Sequence, residues 1–104
     1  MFSLLDAEKA ALNFLMEEWE LPTQDQDWFR VVNSRKIPNS WWSIVEIGIK
    51  NLPDKWVIQV FDDGECDPCY TFVSPFSDEK ISTHLAELPA KIAIALQKER
   101  EGHI

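Results

Sequence analysis

Glycine is scarce in this chain, with 3 in 104 residues. A phosphate-cradling loop needs several glycines close together, and neither G-x-x-x-x-G-K-[ST] nor G-x-G-x-x-G occurs. G-x-S-x-G and H-E-x-x-H are missing too, which removes the hydrolase nucleophile elbow and the zinc-protease helix. Positive charge is short as well: Lys and Arg total 10 against 18 Asp and Glu, a formal net charge of −8. Nucleic-acid binding relies on a basic stripe that releases counterions, and the only adjacent basic pair is Arg35-Lys36. No nucleic-acid partner is expected, and the acidity reads first as a well-solvated surface. No apolar run approaches the ~18 residues that a membrane span needs. The start, Met1-Phe2-Ser3-Leu4-Leu5-Asp6-Ala7-Glu8, has neither the basic region nor the apolar run of a secretory signal. Such a start, with 2 cysteines in all, predicts a reducing cytoplasm in which a structural disulfide is not expected.

What the chain does have is apolar mass. Its hydrophobic fraction is 45% and it carries 5 tryptophans, far from the aromatic-poor composition of a disordered chain. Its length suits one domain over 1–104 with a modest core.

Periodicity sets the order of elements. Over residues 3–20, Leu5, Leu12, Leu15 and Trp19, with Ala11 beside them, form one apolar stripe at helical spacing. Ser3 and Asp6 stand where a capping box stands, and Leu21-Pro22 ends the helix. Four strands are predicted over 27–37, 41–50, 55–62 and 68–74. Pro38-Asn39-Ser40, Asn51-Leu52-Pro53-Asp54 and Asp63-Gly64-Glu65 turn the chain between them. Connections this short predict an antiparallel meander. A helical tail follows from Ser77, with Asp78 and Glu79 in its first turn and Ile81, Leu85 and Leu88 on one face. Pro89 restarts it as the first residue of a second helix, and Gly102 stops it.

The fold class is therefore α+β: an N-terminal helix, a four-stranded antiparallel meander and a C-terminal helical segment. This order resembles the cystatin-like arrangement, a helix cradled by a curled sheet. The likeness is one of architecture and carries no function with it.

Side chains alternate along a strand. Trp41, Ser43, Val45, Ile47 and Ile49 share the side expected to be core, and Trp42, Ile44, Glu46, Gly48 and Lys50 share the other. With Val57, Gln59 and Phe61 from the third strand, the outer side is more apolar than a half-wet sheet face usually is. Trp42, Ile44, Val57 and Phe61 are accordingly the candidate interface. The expected function is a small cytoplasmic, non-enzymatic protein-binding or regulatory module that forms a homodimer through this face.

Two alternatives stay open. One is a small-molecule binder or simple enzyme with a pocket between the first helix and the sheet, lined by Trp28, Trp42, Tyr70 and His84. The other is a zinc-stabilised domain using Cys66-Asp67-Pro68-Cys69. That C-x-x-C lies on a hairpin, not at a helix start, so redox chemistry is not expected. It supplies two of the four ligands that tetrahedral zinc takes, and a second copy would have to complete the set. The acidic run from Asp62 to Asp67 lacks calcium-loop spacing. No catalytic residue and no required cofactor is assigned.

Overall fold

Ser3 begins the first helix as its neighbours dictate. Its Oγ accepts the Asp6 N–H at 3.1 Å while Asp6 Oδ2 accepts the Ser3 N–H at 2.9 Å. This reciprocal pair satisfies two backbone donors that a helix start leaves without partners. The computed structural model describes residues 2–76 and 83–102, and in it helix α1 spans Leu4–Glu18. Its buried residues are Ala7, Ala11, Leu15 and Met16. The stripe is thus rotated from the expected one: Leu5 is 59% exposed, and Leu12 and Trp19 are half-buried. The small side chains of Ala7 and Ala11 let the helix approach the sheet closely, so the contact line follows them.

A 3-10 segment, Thr23–Trp28, replaces the expected beginning of the first strand. The strands are β1 (Phe29–Lys36), β2 (Trp42–Ile49), β3 (Lys55–Phe61) and β4 (Thr71–Val73), paired antiparallel in the order β1-β2-β3-β4. The meander is as the short connections require. A bulge lies between Val31 and Asn33, and it sets Val32 over Gly48, whose missing side chain leaves the room. A Cβ on Gly48 would stand 3.2 Å from Val32 Cγ1.

β4 is shorter than predicted. Val60 bridges to Cys66 while Val57 pairs with Thr71. The two pairings are out of step, so the chain bulges between them. Asp67 shapes this bulge: its N–H donates to Gln59 O at 2.9 Å and its Oδ1 accepts the Cys69 N–H at 2.8 Å, a local turn that competes with ladder formation.

Strand parity holds. Val45, Ile47, Ile49, Trp56, Ile58 and Val60 are buried in one cluster with Ala7, Ala11 and Leu15 of α1. Trp41 departs from expectation, being 78% exposed. It precedes the first residue of β2, and parity fixes which way a side chain projects, not whether a helix reaches far enough to cover it.

Helix α2 spans Ala90–Arg100, with Pro89 at the N-cap position, one residue before the predicted place. Gly102, at φ 71°, ends it as expected, its N–H donating to Glu99 O at 3.0 Å. The predicted cap Ser77 and the residues Asp78, Glu79 and Ile81 lie outside the described residues. Over residues 83–89 the chain is not an α-helix. His84 has φ 66°, one 3-10 turn covers Leu85–Glu87, and Leu88 is extended. A left-handed residue interrupts a right-handed helix, and the residue before Pro89 avoids the helical region.

α2 packs on the same side of the sheet as α1. Ile92 and Leu96 join the core cluster, and the Trp56 indole N–H donates to Glu99 Oε2 at 2.5 Å. The Arg100 guanidinium grips Asp54 with two bonds, Nε to Oδ2 at 2.8 Å and Nη2 to Oδ1 at 2.9 Å. These side chains are 1% and 0% exposed, so the pair is a buried clamp between the end of α2 and the turn before β3.

Candidate functional site

Two regions hold most of the residues that the sequence singled out. The first is the outer face of the sheet. Trp42 pairs with Phe61 across β2 and β3, Ile44 with Gln59, and Glu46 with Val57. Trp42, Ile44, Val57 and Phe61 are all half-buried. Among the described residues no α-helix lies over them, since α1 and α2 both occupy the inner side.

The centre of this face is ionic. Lys55 Nζ reaches Glu46 Oε1 at 2.6 Å, and Arg35 Nη1 reaches Glu46 Oε2 at 3.0 Å. Asn33 adds a bond to Oε2 at 3.3 Å. These donors, Lys55 foremost, hold the Glu46 carboxyl down at about 2. Among the strand positions of this face the charged residues are Arg30, Arg35, Lys55 and Glu46. The face is therefore net positive on a chain of net charge −8. Val32, from the bulge, adds an exposed apolar side chain, as does Val73 at the far strand.

The second region is a cavity of about 570 Å³ where both helices end. Glu18 and Trp19 from the end of α1, Cys69 and Tyr70 from the bulge, Phe72 from β4, and Glu99 and Gly102 from the end of α2 line it. Its aromatic walls are braced from behind. The Phe72 ring stands 5.1 Å from that of Trp56, and the Tyr70 ring meets Phe14 edge-on at 6.0 Å. Glu99 is 5% exposed and accepts the Trp56 indole N–H. Burial, followed by the influence of Glu99, pushes the Tyr70 phenol far above its ordinary range.

The predicted pocket residues are not brought together. Tyr70 lines this cavity, whereas Trp28 and His84 line a separate hollow of about 360 Å³ with Lys50, Leu52 and Leu88. Trp42 is on the outer face. Lys50 Nζ lies 6.0 Å from the Trp28 ring. His84 is exposed and faces Glu87 at 3.9 Å.

Glu99 was missed by the sequence reading, yet its signal is there. Ile92, Ala95, Leu96 and Glu99 are the buried residues of α2, and a carboxylate in register with an apolar stripe needs a polar partner inside the fold.

The two cysteines are not bonded to each other. Cys66 Sγ contacts Ala10 O at 3.6 Å, and burial, with Glu65 beside it, pushes the thiol up to about 11. Cys69 is exposed. Among the described residues no group of three or more His, Cys, Asp or Glu side chains is arranged to hold a metal ion, and no helix is long and apolar enough to cross a membrane.

Comparisons of the chain with protein-family models, with curated proteins and with solved structures give no significant match. An α+β meander with both described α-helices on one side of the sheet is thus the class that the fold itself defines.

Proposed function

We propose that this chain is a non-enzymatic binding module that pairs with a second copy of itself through the outer face of its sheet. The observation that carries this reading is the position of the helices. Both described α-helices pack on the inner side, leaving Trp42, Ile44, Val57 and Phe61 half-buried on the other. Removing side chains of this size from water is worth on the order of 1.5–3 kcal/mol each, enough to offset a substantial part of the cost of association.

On the outer face Arg30, Arg35 and Lys55 outnumber Glu46, so a face that meets itself must match the cations of one copy with the Glu46 of the other. Its ion cluster also presents both signs side by side, so a two-fold copy set slightly off register can place Glu46 near the cations of its partner.

Light scattering over a range of concentrations tests this directly. The expected result is a mass that rises from one chain to two, and a dimer that Trp42→Lys dissociates while the circular dichroism stays unchanged. A chain that remains monomeric to about millimolar concentration, where any affinity better than roughly −4 kcal/mol would show, overturns it. A Trp42→Lys variant that stays dimeric places the interface elsewhere and overturns it equally.

A further inference from the structure

We infer that the two copies pair with their strands antiparallel across the interface, Trp42 of each standing against Val32 of the other, between its Arg30 and Lys55. This rests on the pairing proposed above and deepens it, because it names the residues that fix how the partner copy lies.

The register of the sheet draws the map. Arg30, Gly48 and Lys55 stand in one row across β1, β2 and β3. Trp42 and Phe61 form another row, six residues away along β2, or about 20 Å at roughly 3.3 Å per residue. The strand positions of the face thus have a cationic end and an aromatic end. The acidic turn Asp62-Asp63-Gly64-Glu65 directly follows Phe61 and borders the aromatic end. Lys36 neutralises Asp62, whereas Asp63 and Glu65 stay exposed.

The bulge in β1 shapes the cationic end. Gly48 is buried, because Val32 fills the place that a side chain would take, with Cγ1 3.2 Å from where a Cβ would stand. Val32 itself is 45% exposed, so it forms an apolar platform between two cations. Lys55 is bound to Glu46. Arg30 is exposed, and among the described residues its side chain makes no ion pair or hydrogen bond. An indole fits this platform. With its edge on the Val32 methyls it turns one ring face to each cation. Strands two apart are separated by about 9.6 Å, so each cation stands roughly 5 Å from the ring, inside the ~6 Å reach of a cation–π contact.

Charge decides how the second copy lies. A two-fold axis along the strands sets each end of the face on its own counterpart, so cations meet cations and acidic turns meet acidic turns. An axis across the strands reverses one copy. Each cationic end then meets an aromatic end and its acidic turn, and the symmetry makes the contact twice. The sheets stay aligned, as packed sheets do. The same reversal sets the row of Arg35 and Ile44 over the row of Glu46, so the central ions are matched as well.

Isotope-filtered NMR on dimers mixed from labelled and unlabelled chains tests the arrangement. Contacts between chains should run from the Val32 methyls to the Trp42 indole. Arg30→Ala should weaken the dimer at least about fivefold by light scattering, with unchanged circular dichroism because the side chain supports nothing within its own copy. A dimer whose inter-chain contacts join Trp42 to Trp42, or one that Arg30→Ala leaves as tight as wild type, overturns this arrangement and leaves pairing through the face standing. A chain that stays monomeric overturns both.

Discussion

The Asp54–Arg100 clamp invites removal of one partner at a time. Arg100→Ala deletes both bonds to Asp54, the bond from Nη1 to Thr83 O at 2.7 Å, and the guanidinium stacked 4.4 Å from the Phe76 ring centroid. It leaves the Asp54 carboxylate, 0% exposed, without its cation. Breaking a buried pair from one side costs about 3–5 kcal/mol, mostly the desolvation of the abandoned charge. For a chain of this size that corresponds to a fall in melting temperature on the order of 15–30 °C. Asp54→Ala should cost a similar amount for the mirror-image reason. Arg100→Lys keeps the charge but loses the two-pronged fit, and its loss should fall between wild type and alanine. The double change Asp54→Leu/Arg100→Met should cost far less than the sum of Asp54→Ala and Arg100→Ala, because no buried charge remains. Chemical denaturation of these four variants beside wild type, read by tryptophan fluorescence, checks the pattern. Single losses below about 1 kcal/mol, in the range of an exposed pair, would refute the claim that the clamp is dry and holds α2 in place.

Acid should expose the role of Glu46. Its carboxyl titrates near 2 in the fold against an ordinary value of 4.5, so the unfolded chain takes up that proton first as pH falls. The stabilisation is whole above pH 4.5 and drains away between 4.5 and 2. Wild type should therefore melt above Glu46→Gln at pH 7 and lose that lead near pH 2; a gap that does not change with pH contradicts the ion cluster. Cysteine labelling is the other simple check. Iodoacetamide at pH 8 should modify exposed Cys69 first and Cys66, with its thiol raised to about 11, at least tenfold more slowly, and equal rates count against the contact with Ala10. Zinc at Cys66 and Cys69 remains a proposal of the sequence. It predicts one metal per two chains by elemental analysis of untagged protein, and metal-free protein disposes of it.

Much of the fold is legible because its causes are local. The Ser3–Asp6 capping box needs only residues three apart, and the meander needs only short turns between alternating segments. The parity of β2 and β3 follows from backbone pleating, and it correctly separates Val45, Ile47 and Ile49 from Trp42 and Ile44. What escapes depends on distant parts of the chain. Trp41 has core-facing parity but lies past the cover that the helices give. His84 is left-handed, which no propensity for histidine announces. The bulge at Asp67–Tyr70 interrupts a run that reads as continuous strand, and it is this bulge that turns Cys69 and Tyr70 into the cavity. Trp28, Tyr70 and His84 carry the right chemistry for a pocket, yet two different hollows divide them, since sequence says nothing of which loops meet.

The sheet is a partition, and that makes the proposed interface separable from the core. Trp42 and Phe61 project outward, while Trp56 and Phe72, from β3 and β4, project inward and brace the cavity. A substitution on one side acts on the other only by deforming the sheet itself. Trp42→Lys and Arg100→Ala should therefore add in their effects on stability to within about 0.5 kcal/mol, since no contact is shared. A double variant that departs from additivity by well over that amount would mean that the sheet transmits strain between its faces. The Asp54–Arg100 clamp is where that coupling would have to run. It joins the end of α2, which carries Glu99, to the turn that starts β3, which carries Val57 and Phe61.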